Sequence, residues 1–491
     1  MQIESIRPLI PVLIVLVTSI LISLSRKRPN LREGWSVAGS ILTFIAVASM
    51  VPDIMGGNRI VYTLSTIAPG ISLNFRVDAL SLIFGIVSSF LWIFATFYNI
   101  GYMRSLDEHA QTRYYTCFAI AILGAQGVSY SGSLFSLYLF YEIITIFTYP
   151  LVAHHQDEEG YAGAKKYIVY LMGTSKGLLL PAVVLTYVMT GNLDFSDNIL
   201  AGIFSKDANS TWVTVTYILF LFGFAKAAIM PLHNWLPSAM VAPTPVSALL
   251  HAVAVVKAGV FCIARVMLSV FGVELLNNLH LGIWTAYFVS ITILLASIIA
   301  LTKDDLKARL AYSTVSQLSY IVLGVALLDA SGVLGGIIHI VNHGFSKITL
   351  FFCAGAIFVA TRKKKISDME GIGYAMPFTM GAFAIASLSM IGVPPVAGFV
   401  TKWYLLHGAL EIHNIPIVIV LMASTLLNAG YFAPITFKAF FKGKQQGAWK
   451  RSDIKEAPLT MVVPIVLASL ISVALGLFPE FFVNLIGRMM P

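Results

Sequence analysis

The sequence predicts an all-α polytopic membrane protein of about fourteen transmembrane helices. Of its 491 residues, 58% are hydrophobic and only 11% are charged, whereas soluble domains carry about 25% charged residues. The apolar runs are about 18–28 residues long, which suits helices that cross a hydrocarbon core about 30 Å thick. The basic residues cluster in the short segments between these runs, as expected for a membrane topology.

Fourteen apolar runs supply the predicted spans. They cover residues 8–25, 34–51, 77–103, 113–131, 133–153, 164–190, 212–231, 244–270, 280–301, 309–328, 332–361, 376–411, 413–437 and 458–487. The twelfth run is long enough to be broken. The first run leads into basic residues without a small-residue cleavage site, so we interpret it as a span and not as a signal peptide.

The distribution of basic residues predicts the orientation. Segments that follow odd-numbered spans hold 21 Lys and Arg residues, and those on the other side hold five. Because basic loops stay in the cytoplasm, this split places both termini outside a prokaryotic-type plasma membrane. The net charge of +9 is therefore a topology signal, and we expect no nucleic-acid partner.

The sequence offers no signature of a bound cofactor or metal. Its three cysteines, Cys117, Cys262 and Cys353, are isolated within spans, so an iron–sulfur cluster, a structural zinc and a disulfide framework are not expected. No P-loop is present. His339 and His343 have the i,i+4 spacing of metal ligands, but no third ligand lies nearby in the sequence.

Charged residues inside the spans are the candidate functional residues. A charge at the bilayer centre costs about 2.5–3.5 kcal/mol on insertion scales and is usually functional. The basic residues are Lys176, Lys226, Lys257, Arg265, Lys347 and Lys402, and Glu142 is the one acid at comparable depth. Counted along their helices, Glu142 and four lysines (176, 226, 257 and 347) lie roughly 14–22 Å deep. Such a layer predicts a lateral relay between neighbouring helices.

Two of these charged residues can also be explained by a structural role alone. Arg265 lies near the outer end of its span, where a structural role is favoured. Lys176 has the alternative of acting only as an ion-pair partner of Glu142. Asp78 begins the third span, and we expect it to cap that helix.

Two spans contain breaks, and three histidines lie near the buried lysines. Proline removes a helix donor, so Pro231 in span 7 and Gly392, Pro394 and Pro395 in span 12 mark unwound backbone at depth. Histidine without a perturbing environment titrates near physiological pH, so His251, His339 and His343 are candidate proton carriers. Spans 7 and 12 are five apart and run in opposite directions, which predicts two inverted repeats, residues 112–271 and 272–441. Residues 1–111 and 442–491 flank these repeats.

The longest motif runs from Phe224-Ala-Lys226 through Pro231-Leu-His233-Asn-Trp235 to His251 and Lys257-Ala-Gly259. It resembles the proton-conducting antiporter-like subunits shared by respiratory complex I, Mrp-type Na+/H+ antiporters and membrane-bound energy-converting hydrogenases. His343-Gly-Phe-Ser-Lys347 and Gly392-Val-Pro-Pro-Val-Ala-Gly398-Phe-Val-Thr-Lys402 match further landmarks.

This resemblance implies roles for four residues: Glu142 and Lys226 form the pair of the first half, Lys257 is the central relay and Lys402 ends the second half. It also implies partners, namely other membrane subunits that include antiporter-like and small helical ones, and transport of H+ with or without Na+. Any redox centre then belongs to those partners. The alternatives are a stand-alone secondary solute transporter and a scaffold subunit that has lost transport.

Overall fold

The computed structural model describes residues 1–205, 207–442 and 454–489. Four basic residues that entered the topology prediction, Lys206, Lys444, Lys450 and Arg451, lie outside the described residues. Most of the described chain is helical.

The N-terminal part combines helices with a small sheet. Its helices are a 3-10 turn Arg7–Leu9, α1 Ile10–Leu24, α2 Pro29–Ala48, α3 Val51–Met55 and α4 Ala79–Ser105. Strands β1 Gln2–Glu4, β2 Arg59–Ala68 and β3 Ile71–Val77 form the sheet, in which β2 pairs parallel with β1 and antiparallel with β3. The all-α prediction is wrong here, because hydropathy windows sized for membrane helices average over short strands.

The first half of the remaining chain is built from short and long helical pieces. They are α5 Gln111–Tyr130, α6 Leu134–Val152, α7 Glu158–Thr174, a π turn Ser175–Leu179, α8 Leu180–Thr190, α9 Ser210–Gly223, a 3-10 turn Ala225–Ala227, α10 Trp235–Ser238, a 3-10 turn Ala239–Val241, α11 Thr244–Ala248, a π turn Leu249–Val253, α12 Val255–Val266 and a π turn Met267–Phe271.

The second half has longer helices. They are α13 Val273–Asn278, α14 Leu281–Thr302, α15 Leu306–Ala326, α16 Ala330–Thr361, a 3-10 turn Ile366–Asp368, α17 Ile372–Ala375, α18 Pro377–Ile391, α19 Ala397–Glu411, α20 Ile415–Phe441, α21 Leu459–Leu477 and α22 Glu480–Gly487.

Each apolar run of the sequence overlaps at least one helix. In the described part of the chain, ten helical segments are long and apolar enough to cross a membrane. The last run, 458–487, is divided between α21 and α22. The count of fourteen spans stays a prediction.

The helices that carry the candidate residues lie at the centre of the molecule. The segment Thr244–Phe271 is completely buried over its most apolar window, and the corresponding window of α16 is 78% buried. Close packing depends on Gly259 of α12, where an added Cβ would lie 2.3 Å from the backbone nitrogen of Ala227. A side chain there would push α12 away from the backbone that holds Lys226.

A buried ion pair joins the start of α4 to the C-terminal end of α12. Asp78 caps α4 by accepting a hydrogen bond from the Ser81 amide, which confirms the expected cap. Its carboxylate also receives two hydrogen bonds from Arg265, at 2.6 and 2.8 Å. Arg76 Nε lies 3.1 Å from the same carboxylate. This arrangement agrees with a structural role for Arg265.

We expect Arg265→Gln to destabilise the protein by about 3 kcal/mol, because removing a partner from a buried ion pair is costly and the Asp78 carboxylate is left with Arg76 alone. Arg7→Gln is the matched control, since Arg7 pairs with Asp53 across a partly exposed contact of 2.6 Å and should contribute less than about 1 kcal/mol. Thermal unfolding in detergent measures both. Equal melting temperatures for the two variants would contradict the structural role of Arg265.

Candidate functional site

Four lysines lie inside the helical bundle. Lys226, Lys257 and Lys347 are 0% exposed and Lys402 is 8% exposed. Within the described residues, none of the four forms an ion pair with a carboxylate; their ammonium groups meet carbonyl, hydroxyl and imidazole groups. Burying an ammonium group is costly unless such polar groups replace its water shell.

Lys226 lies in the break of the predicted seventh span. Helix α9 ends at Gly223, the 3-10 turn Ala225–Ala227 follows, and Ala228 adopts a left-handed conformation. Lys226 Nζ donates to the Tyr141 carbonyl at 2.8 Å and to Thr145 Oγ1 at 2.7 Å. The ammonium group also lies 3.1 Å from the centre of the Tyr141 ring, a cation–π contact.

Glu142 follows Tyr141 on α6 but does not touch Lys226. Among the described residues the two form no ion pair, and Glu142 Oε1 is buried without a hydrogen-bond partner. Glu142 is therefore one residue along α6 from the Tyr141 carbonyl that accepts a hydrogen bond from Lys226.

Lys257 and His343 form the central contact. Lys257 Nζ on α12 lies 2.8 Å from His343 Nδ1 on α16, and both side chains are 0% exposed. Either nitrogen is able to carry the shared proton, because imidazole donates or accepts according to its tautomer. The sequence placed His343 on the same helix face as Lys347, but the structure brings it to Lys257.

The contacts continue from His343 towards Lys402. The rings of His343 and His339 are 5.5 Å apart, and His339 Nδ1 lies 3.1 Å from Thr401 Oγ1, next to Lys402 on α19. The ring of Tyr320 lies 5.8 Å from His339 and 5.8 Å from Lys402 Nζ. Lys257, His343, His339 and Lys402 therefore form one chain of neighbours.

Lys402 lies across the break between α18 and α19. Its Nζ donates to the Ile391 carbonyl at 2.5 Å and to Thr425 Oγ1 at 2.8 Å. Gly392 has a φ of +88°, and a Cβ there would lie 2.5 Å from Lys402 Cδ. Only glycine combines this left-handed backbone with the close approach of the lysine.

Lys347 and His251 lie beside this chain of contacts. Lys347 Nζ donates to the Leu310 carbonyl at 3.1 Å and to Ser313 Oγ on α15. His251, in the π turn after α11, stacks on Phe351 with ring centres 4.5 Å apart. Neither ring nitrogen of His251 has a hydrogen-bond partner among the described residues.

Lys176 differs from the other lysines in its surroundings. It lies in the π turn between α7 and α8, it is exposed, and it has no hydrogen bond or ion pair with any described residue. The structure therefore does not bring Lys176 to Glu142. It lies on an outer face of this chain.

A cavity of about 600 Å³ opens at the end of the bundle that carries the basic segments. Its lining includes Tyr102, Thr244 and Lys307. Thr244 begins α11, which leads directly into the π turn that holds His251. His251 itself is fully buried and does not line the cavity.

Sequence reasoning missed the neutral partners of the lysines, which are Tyr141, Thr145, Leu310, Ser313, Ile391 and Thr425. Tyr141 and Thr145 have i,i+4 spacing on α6, which is a weak signal. The others lie on different helices from their lysines, so their roles depend on helix packing that local sequence does not contain.

Similarity to known proteins agrees with the expected resemblance. Residues 131–428 match the family model described as "NADH:quinone oxidoreductase/Mrp antiporter, TM". NADH-quinone oxidoreductase subunit N of Desulforudis audaxviator is 32% identical over 97% of this chain and 96% of its own length. Na(+)/H(+) antiporter subunit A1 of Staphylococcus haemolyticus is 29% identical over 98% of this chain, which spans only 61% of that relative.

Solved structures share the fold over nearly the whole chain. The Mrp complex from Dietzia sp. DQ12-45-1b matches with a TM-score of 0.87 at 23% identity, covering 99% of this chain and 96% of that one. An archaeal membrane-bound sulfane sulfur reductase matches with a TM-score of 0.87 at 25% identity, covering 99% and 97%. The family model covers more than half of the sequence, and with the subunit N relative it shows that the chain belongs to the transmembrane family of NADH:quinone oxidoreductases and Mrp antiporters.

Proposed function

We propose that this chain is an ion-translocating subunit of a multisubunit membrane complex and that it moves protons laterally through its layer of buried lysines and histidines. The contact between Lys257 and His343 at 2.8 Å carries the proposal. It joins two groups able to exchange a proton at the centre of the bundle, away from solvent and from any carboxylate of the described chain.

The second half supplies the outgoing path. A proton leaving Lys257 passes to His343, then to His339, and reaches Lys402 through the hydroxyl groups of Thr401 and Tyr320. The short contacts are 2.8 Å for the first step and 3.1 Å from His339 to Thr401. Water molecules bridge the remaining intervals, since a polar contact beyond about 3.5 Å commonly contains a water.

The first half supplies a lysine whose proton affinity depends on a carboxylate. Lys226 is held by neutral oxygens only, while Glu142 lies next to them. An opposite charge nearby favours the protonated amine. Movement or protonation of Glu142 therefore releases the Lys226 proton towards Lys257.

His251 and Lys347 connect the layer to the surface. His251 lies beyond the cavity that Thr244 lines, and its two unpartnered nitrogens suit a residue that accepts protons from water entering that cavity. Lys347 adds a further buried base beside Ser313. We place the cavity on the cytoplasmic side and both termini outside, because the basic segments surround it.

The complete architecture that this function uses has fourteen spans in two inverted repeats, 112–271 and 272–441. The breaks at Pro231 and at Gly392–Pro395 occupy equivalent places in these repeats. In each, a lysine donates to a carbonyl and a threonine hydroxyl, which supports the internal symmetry. Residues 1–111 and 442–491 flank the repeats.

Two outer faces of the chain support an assembly with other membrane subunits. Lys176 is exposed at mid-span on one face, and an unpaired ammonium group in lipid is costly. The unwound backbone at Val393, Pro394 and Pro395 is exposed on another face, although such backbone needs cover by protein or water. Neighbouring subunits would cover both faces.

Two other functions predict different behaviour. A stand-alone solute transporter would be purified without stable partners, and a scaffold would tolerate loss of the buried bases. The antiporter relatives favour Na+ exchange as the coupled reaction, and parallel H+ and 22Na+ flux measurements distinguish it from H+ movement alone.

Lys257→Arg should reduce proton flux by at least about tenfold, because arginine does not release its proton in proteins. The measurement is proton flux in membrane vesicles that contain the intact complex. Lys166→Arg is the matched control, since Lys166 is exposed and should transport normally. Native flux in Lys257→Arg would eliminate proton release by this residue and leave only an electrostatic role.

Glu142→Ala and Lys226→Ala should each nearly abolish proton flux while the complex still assembles. Glu142 sets the proton affinity of Lys226 through its charge, so loss of either member removes the switch. Glu158→Gln serves as the control because Glu158 is an exposed acid at the start of α7. Full flux in either alanine variant at normal expression would refute the pair.

Lys176→Leu should leave this chain folded but lower the amount of co-purified partner subunits. Leucine suits a lipid-facing position, whereas a partner group that pairs with the ammonium would be left buried and uncompensated. Lys176→Arg keeps the charge and should retain the partners. Mild detergent extraction followed by mass spectrometry measures this, and unchanged stoichiometry in Lys176→Leu would show that no partner contacts Lys176.

A further inference from the structure

Two surface turns bring together side chains that the translocation path does not use. The turn between α4 and α5 carries Glu108 and His109, and the turn between α6 and α7 carries His154 and His155. Ligand atoms of Glu108, His109 and His154 all lie within 4.8 Å of one another. His154 Nε2 is 3.5 Å from Glu108 Oε2, and His155 Nδ1 is 3.7 Å from the same oxygen.

His154 is the unusual member of this group. It is 0% exposed, yet neither ring nitrogen has a hydrogen-bond partner among the described residues. Its ring lies 4.7 Å from the ring of His109 and 5.5 Å from that of Tyr114. Buried polar nitrogens normally find partners, so an orphaned imidazole that faces a carboxylate and another imidazole indicates a missing ligand.

We propose that Glu108, His109 and His154 bind a divalent transition-metal ion, for which Zn2+ is the best match. Zinc takes imidazole nitrogen and carboxylate oxygen at about 2.0–2.2 Å. Two such ligands in a tetrahedron lie about 3.4 Å apart, close to the separation of His154 from Glu108. A hard cation such as Mg2+ or Ca2+ prefers oxygen ligands and fits this set less well.

His155 and water are the candidates for the fourth position. His155 is partly exposed, and with Glu108 it lines the cavity of about 600 Å³, so the open side of the site faces solvent. This provides an entry path for the ion. The metal would join two turns that lie more than 40 residues apart in the sequence.

The local charges suit a cation. The imidazoles of His109, His154 and His155 lie around the Glu108 carboxylate, and metals bind neutral imidazole and ionised carboxylate groups. Asp157 adds a second negative charge, and Lys307 and Arg113 face the cluster with positive charges.

The test uses the full chain in detergent, purified with a histidine-free tag and stripped with EDTA. Zn2+ alone is titrated against a competing chromophoric chelator, and bound zinc is counted by mass spectrometry. We expect one Zn2+ per chain, a rise in melting temperature on binding, and visible d–d bands of a four-coordinate site after Co2+ substitution.

His109→Ala and His154→Ala should each weaken Zn2+ binding by at least about tenfold, because loss of a supporting partner alone costs 10–100-fold. His109 is exposed, so its variant stays informative even if the buried His154 variant fails to fold. His280→Asn is the matched control at an exposed histidine with a left-handed backbone, and it should bind normally. Absence of bound zinc, or equal affinity in wild type and His109→Ala, would overturn the site. None of these readouts depends on ion transport.

Discussion

The structure depends on how it holds ammonium groups inside an apolar bundle without neutralising them. Lys226, Lys347 and Lys402 share one arrangement, in which each donates to one backbone carbonyl and one side-chain hydroxyl. These oxygens replace water for the charged form, and the hydroxyl also donates to a neutral amine by rotating. A carboxylate in direct contact would hold the proton more firmly. Neutral partners therefore leave both protonation states accessible, which a relay needs.

Lys257 departs from that arrangement, and the departure gives it a separate role. Its partner is the imidazole of His343, and this ring is itself able to accept the proton of the Lys257 ammonium group. The three other lysines contact carbonyl and hydroxyl oxygens, which do not take up a proton. Lys257 instead contacts a second base. The packing that makes this possible comes from glycine: Gly259, two residues after Lys257, brings α12 against the backbone of Ala227. The break around Lys226 and the central lysine are therefore positioned by one helix contact.

The sequence was sufficient for the features that local composition determines. Apolar runs located the helices, and the Asp78 cap followed from its position before an apolar run.

Contacts between side chains on different helices could not be predicted in this way. His343 and Lys347 are four residues apart on α16, yet they turn to Lys257 and to Ser313 on two other helices, because the rotation of α16 against its neighbours decides their contacts. The β2–β3 hairpin was missed because strands shorter than the window leave little hydropathy signal. Glu108 and His154 lie in separate turns, and they meet because α5 packs against α6.

The exposed features explain why such a layer would need neighbours. Inside the chain, the contacts run from Lys257 to Lys402 and end beside the unwound segment 392–396, where Val393, Pro394 and Pro395 are exposed. Lys176 is likewise exposed, on an outer face of the chain. Lipid does not satisfy a free ammonium group, and unwound backbone at membrane depth is tolerated where protein or water covers it. A relay parallel to the membrane plane also has to receive and deliver protons at its edges. The same two faces that are unfavourable towards lipid are thus the places where a lateral path would continue into the next subunit.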